Sequence, residues 1–354
     1  MDDVILIPRN FVYGKYAKFL VKNKKAMSLS SDVAFLNFNI ESRYKSFQDE
    51  HYLYSVQNKD GWINPHFNKN KILEVLKKYN YNKKNFMGLN TKNIHVMGIL
   101  NISPDSFSNN STEVVSIKKA INKAIKMYEE GASIIDIGGE STRPGAERIS
   151  DLEEQTRIIP IIKELSKYNI PMSCDTRNAS TMQLAIDAGV KIINDVSALS
   201  DKKAASIIAK NKVGLIIMHM KGQPNNMQKK PKYKNVSYEI LHYLKKKKDY
   251  ALEKGIKEEN ILIDPGIGFG KNDKHNLKIF KDLALFHYLK SHILIGASRK
   301  SMIGRITNTN VAERLPGSIS LAIASIEKGV KFLRVHDVKE TKQAISIWEK
   351  LNYN

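Results

Sequence analysis

The sequence predicts an α/β protein: a (β/α)8 TIM barrel with a small amino-terminal α+β or partly disordered extension. Three observations lead there. From residue 94 onward, short β-branched runs alternate with longer helical patterns, eight units in about 260 residues, the size of such a barrel. The runs are apolar almost without a break, as expected of parallel strands covered on both faces. Each run also ends in a polar or charged residue that a buried core would not select.

In order, the predicted strands are 94–100 (IHVMGIL), 133–138 (SIIDIG), 171–174 (PMSC), 191–194 (KIIN), 214–218 (GLIIM), 261–264 (ILID), 293–296 (ILIG) and 332–335 (FLRV). Amphipathic helices fall between them. Ile117, Ala120, Ile121, Ala124 and Tyr128, for example, repeat at helical spacing and form one core stripe. Gly131 and Gly189 stand where helices end just before the next strand. The preceding residues, 1–93, are rich in Lys, Asn and Tyr. There an alternating run (Ala34, Leu36, Phe38, Ile40) predicts a strand, and Ile72 to Tyr79 a helix. The polar stretch NYNKKNFMGLNTKN, residues 80–93, predicts a linker, dividing the chain into an extension, 1–93, and a barrel, 94–354.

Composition narrows the classes. No apolar run approaches the roughly 20 residues that span a bilayer, and the start MDDVILIPRN is acidic, unlike a secretory signal. The single cysteine, Cys174, has no intramolecular partner for a disulfide, so a reducing cytoplasm is expected. A net charge of +21 favours anionic partners. The excess is spread through Lys/Asn-rich runs such as Lys245 to Lys248, with no zinc-finger spacing, aromatic RNA-binding motif or basic zipper. Nucleic acid and membrane are therefore not the expected partners.

The strand ends carry the functional signal. They are Asn101, Asp136, Asp175, Asn194, His219, Asp264, Ser298 with Lys300, and Arg334 with His336. Any one alone would pass for a cap or turn former. Eight in register, at the carboxyl ends of barrel strands, define a site. Asp136, Asp175 and Asp264 offer acceptors only, and Asn194 adds an amide, so the ring suits a heterocycle rich in N–H donors. Lys300, Arg334 and His336 bring positive charge to the last two units. Arg334 and His336 share one face of an extended segment, where barrels commonly hold phosphate. Asn101 offers a carbonyl oxygen to a hard cation such as Mg²⁺. Together these suggest a donor-rich ring bearing a phosphorylated leaving group.

DPGIGFGKN, residues 264–272, resembles a phosphate cradle but fails both nucleotide patterns. Pro265 stands at the first Walker A glycine, Asn272 stands where Ser or Thr belongs, and the glycines alternate rather than forming G-x-G-x-x-G. Asp264 is thus read as a ring acceptor, with the glycines turning the chain away. Lys271 is expected to be a solvated lysine near the mouth.

The strings MGILNISPDSFS (97–108), DIGGESTRPGA (136–146), SCDTR (173–177), INDVSA (193–198), MHMKG (218–222), DPGIGFGK, IGASRKSMIG (295–304) and RVHDV (334–338), in this order, resemble the dihydropteroate synthase family over about residues 94–350. That resemblance implies condensation of (7,8-dihydropterin-6-yl)methyl diphosphate with p-aminobenzoate, giving 7,8-dihydropteroate and diphosphate in folate synthesis. It implies that Asp175, Asn194, Asp264 and Lys300 hold the pterin, with Asp136 supporting the pocket floor. It implies Mg²⁺ at Asn101, diphosphate at Arg334 and His336, and p-aminobenzoate enclosed by Thr142, Arg143, Phe269 and Ser301. Catalysis would rest on Asp175, Lys300, Arg334 and His336, and sulfonamides would mimic the benzoate. A homodimer packed through the last barrel helices is also implied. The first loop departs from the family pattern, reading SNNST where a glycine pair is expected. The extension lacks the Asp-x-Asp pair of the pyrophosphokinase that some members carry. The rival readings are the pterin domain of corrinoid methyltransferases and a non-catalytic pterin-binding partner protein. The first needs no magnesium–diphosphate site, which Asn101, Lys300, Arg334 and His336 would supply.

Overall fold

In the computed structural model of the chain, all eight predicted barrel strands form within one residue of their expected ends. The structure describes residues 4–30, 32–42, 53–59, 69–79, 84–102, 113–141, 148–223 and 226–353. The barrel strands are β5 (His95–Asn101), β6 (Ile134–Gly138), β7 (Met172–Asp175), β8 (Ile192–Asp195), β9 (Gly214–Met218), β10 (Ile261–Asp264), β11 (His292–Ile295) and β12 (Phe332–Val335). They pair in parallel, in sequence order, and β12 closes on β5 with Val335 opposite Gly98.

Strand alternation sorts the side chains into layers. Met97, Ile134, Ile192, Ile216, Leu262, Leu294 and Phe332, one from each of seven strands, share a compact cluster separate from the helix-facing core. They are the lower interior of the barrel. Two residues further along, on the same face of each strand, come Ile99, Asp136, Asn194, Met218, Asp264, Gly296 and Arg334. A period of two thus lifts the polar residues one layer above an apolar floor. The intervening residues, Cys174 among them, point outward into the core shared with the helices. Cys174 thus faces away from its neighbour Asp175, as alternation along a strand requires.

The extension is an antiparallel sheet with β3 (Val33–Ser42) at its centre. It pairs with β1 (Val4–Tyr13) over its length and with the short strands β2 (Met27–Ser28) and β4 (Leu53–Ser55). The helices α1 (Gly14–Lys22) and α2 (Lys69–Lys77) accompany it. The sheet does not hang free. Arg9 forms an ion pair with the fully buried Asp282 at 3.0 Å, the Tyr13 ring packs edge-on against Trp348, and Lys78 donates to the Tyr288 hydroxyl.

The predicted linker also proves structural in its last part. Phe86 is fully buried and joins the seven strand residues of the lower interior, closing the barrel from below. Its segment is anchored by His95 to the Asn90 carbonyl and by Lys331, which donates to the Lys92 carbonyl.

Candidate active site

Arg334 organises the polar layer. Its Nε donates to Asp136 Oδ2 and its Nη2 to Asp175 Oδ2, each at 2.6 Å. Asp136 is itself saturated, accepting from Ser173 Oγ at 2.5 Å and Asn194 Nδ2 at 3.2 Å. Burial works against the Arg334 charge, but Asp136 and Asp175 outweigh it and raise its pKa. Asp175 differs from Asp136 in one respect: its Oδ1 is buried and has no hydrogen-bond partner among the described residues. An unsatisfied buried acceptor costs about 1–3 kcal/mol, so this oxygen calls for a donor from a ligand. Burial, reinforced by the neighbouring Asp136 charge and opposed by Arg334, pushes the Asp175 carboxyl up to about 7.

The predicted positive groups are unequal. Arg334 is neutralised by two carboxylates rather than standing apart as an anion site. His336 is held neutral: burial, then Arg334 and Arg299, lower its pKa to about 4. The Ser298 hydroxyl accepts from the His336 backbone N–H at 3.2 Å and lies 3.1 Å from Nδ1. In the tautomer in which the hydroxyl donates to Nδ1, Nε2–H is the donor left toward a substrate. Lys300 sets its ammonium 4.1 Å above the centre of the Phe269 ring. Phe269 packs with Val196, Met218 and Met227. Ser301 is exposed at the start of the helix Ser301–Thr307.

Asp264 accepts from the Gly266 N–H at 2.6 Å, and burial raises its pKa against this bond and the nearby Lys300 and Lys271 charges. Only glycine serves at 266. Its φ is +69°, and a Cβ there would come within 2.0 Å of the His219 carbonyl oxygen. Lys271 is not solvated as expected. It is 1% exposed, folded back beneath the turn among carbonyl oxygens. Beside the ring opens a cleft of about 480 Å³, lined by Arg148, Arg177, Asn178, Val196, Ser197 and Tyr243 among others. Thr142 and Arg143, and most of the first loop (103–112), lie outside the described residues.

Comparison with known proteins decides the family. The family model described as "Pterin binding enzyme" matches residues 97–336. A dihydropteroate synthase from Haemophilus influenzae is 42% identical over 255 residues, covering 72% of this chain and 92% of that protein. The chain belongs to the dihydropteroate synthase family. Among solved structures, the Yersinia pestis dihydropteroate synthase in complex with a sulfonamide drug aligns with a TM-score of 0.71 at 37% identity, covering 76% of this chain and 98% of that one. The Xanthomonas albilineans dihydropteroate synthase with 4-aminobenzoic acid aligns with a TM-score of 0.70 at 36% identity, covering 74% and 94%.

The magnesium expected in a dihydropteroate synthase can be tested against the barrel mouth. Among the described residues no three acidic, histidine or cysteine side chains converge on a point. A divalent ion here would therefore draw most of its ligands from diphosphate and water, as Mg²⁺ commonly does. Asn101 fits that arrangement. It is exposed at the end of β5, and the absence of a side chain at Gly138 keeps the space between it and Asp175 open: a Cβ there would meet Asp175 at 3.3 Å and Asn101 Oδ1 at 3.7 Å.

Two residues of the site escaped sequence reasoning. Ser173, which fixes Asp136, lies two positions before Asp175, so the period of the strand could have revealed it. Lys271 immediately precedes Asn272, the N-cap of the helix Asp273–Lys281, and nothing in the local sequence signals its burial.

Proposed function

We propose that this protein makes 7,8-dihydropteroate from (7,8-dihydropterin-6-yl)methyl diphosphate and p-aminobenzoate, the reaction of its family in folate synthesis, through the Arg334-centred ring. The observation that carries the reading is the fork of Arg334 between Asp136 and Asp175, which leaves one buried Asp175 oxygen for a ligand donor. Asp175, Asn194 and Asp264 read the N–H edge of the pterin. Arg334 retains protons on Nη1 for the substrate and stays charged because its two carboxylates hold it so. His336, through Nε2–H, and Lys300 hold the departing diphosphate.

Asn101 would hold magnesium, which supplies further neutralisation of the leaving group's charge. The bond from the exocyclic carbon to the diphosphate oxygen breaks with its electron pair going to diphosphate. Developing positive charge on the pterin is met by Asp175 and Asp264. The p-aminobenzoate nitrogen then bonds to that carbon and releases a proton. Donors placed in advance at such charges are commonly worth roughly 3–4 kcal/mol each. Phe269 faces the benzoate ring, and Ser301, with Thr142 and Arg143, receives its carboxylate. The sulfonamide held by the Yersinia relative supports competition by such drugs with p-aminobenzoate here.

A cytoplasmic homodimer belongs to the same proposal. Cys174 is a buried free thiol, and the last barrel helix (Val338–Tyr353) exposes Ile347 and Leu351 at 61% and 79%. The test is direct. Folded protein given both substrates and Mg²⁺ is expected to form dihydropteroate, and to stop when the metal is chelated. No product from folded protein overturns the reaction, and undiminished product under chelation overturns the metal's part in it.

A further inference from the structure

Lys271 is a fully enclosed amine, its pKa pushed well below the usual lysine range by burial, with three carbonyl oxygens and a ring nitrogen of His219 in hydrogen-bond reach. Its Nζ lies 2.8 Å from the Gly266 carbonyl oxygen, 2.9 Å from that of Phe269, 3.2 Å from that of His219, and 2.9 Å from His219 Nδ1. Three carbonyl dipoles converging on one buried point repel one another unless a multiple donor sits between them. An apolar side chain of the same shape would leave them unpaired. The oxygens come from two places: His219 follows β9, while Gly266 and Phe269 belong to the turn after β10. Lys271 therefore ties two strand ends together.

That turn carries substrate-facing groups at both ends. Asp264 is locked to it through the Gly266 N–H, and Phe269 carries the Lys300 ammonium on its ring. From the opposite side, Asn276 accepts from the Gly268 N–H at 2.9 Å and Tyr233 donates to the Gly270 carbonyl at 2.8 Å.

We infer that Lys271 is a positioning residue for the reaction: by drawing the three carbonyls together it sets where Asp264 stands relative to Phe269 and Lys300, and so where the pterin meets the second substrate. The inference rests on the reaction proposed above. Lys271 touches neither substrate.

The test uses the full chain and compares Lys271→Ala with and without added n-propylammonium, which replaces the atoms removed. KM for p-aminobenzoate and affinity for 6-hydroxymethylpterin, the latter by calorimetry, are the readouts. Lys271→Ala is expected to raise KM and weaken pterin binding on the order of tenfold or more. Propylammonium should restore both, while the neutral isostere 1-propanol should not. Asn276→Ala, which loosens the turn from its helix side, should shift the same two quantities in the same direction. A folded Lys271→Ala protein with unchanged KM and pterin affinity, differing only in melting temperature, overturns the inference. If that variant does not fold, unchanged values in Asn276→Ala overturn it instead. Pterin affinity is read without turnover, so a chain that made no dihydropteroate would fail the proposed reaction and still report on the turn.

Discussion

Asp175 meets two opposed demands. One oxygen is committed to Arg334, and the other lies buried without a partner among the described residues. Burial, opposed by Arg334, pushes this carboxyl up to about 7, so in the free protein it takes up a proton at a pH well above the ordinary carboxylate range. Only the carboxylate presents two acceptors. Affinity for a neutral pterin should therefore rise as pH climbs through about 7 and then level off, with proton release on binding below that pH. Calorimetry in buffers of different ionisation enthalpy measures both. Equal affinity at pH 6 and pH 8 would contradict the assignment. Asp175→Asn should flatten the profile and cost roughly tenfold to a hundredfold in affinity. The sign for folding is opposite. The folded pKa lies above the unfolded value of about 4, so this group's contribution to stability falls as pH rises from about 4 to about 7.

The strands show why the site was legible and the barrel floor was not. Each is a two-residue alternation, so an apolar residue such as Leu262 or Phe332 fixes the direction of the polar residue two positions later, Asp264 or Arg334. The polar residues lie at predictable strand ends, and the order of motifs gave their neighbours. Phe86 has no such context. It is one aromatic residue in a polar run, and its burial comes from an open barrel end that exists only after eight strands close. Lys271 was misread for a related reason, since its partner His219 lies 52 positions away and a Gly-Lys pair by itself resembles a solvated loop. Because Phe86 fills the floor, Phe86→Ala should cost about 3–5 kcal/mol. The urea midpoint should fall without a change in slope. A loss below about 1 kcal/mol would mean the floor repacks and the plug is incidental.

The described residues of the extension dock against the barrel away from the site. Helices of this fold run opposite to the strands, so their carboxyl ends lie at the floor, away from the polar layer. The contacts fall there. Tyr13 donates to the Glu327 carbonyl just after one helix, Gly14 packs against Asn352 at the end of the last, and Arg9 reaches the Lys281 carbonyl and Asp282. Tyr79 lies edge-on to Tyr288, which belongs to the segment leading into β11. Removing residues 1–83 would uncover Trp348 and Tyr288 and leave Asp282, among the described residues, with the side chains of Lys278 and Ser237. Several kcal/mol of such contacts correspond to a fall on the order of 5–10 °C in melting temperature. Pterin affinity should stay within about twofold, because none of these contacts touches the ring around Arg334. A chain starting at residue 94 loses Phe86 as well, and should fall further. Thermal melts and pterin titrations of the two truncated chains separate the possibilities. An unchanged melting temperature for the 84–354 chain would make the extension a passenger. Lost pterin affinity in that chain while it remains folded would mean that the floor communicates with the site, which the geometry of the contacts does not allow.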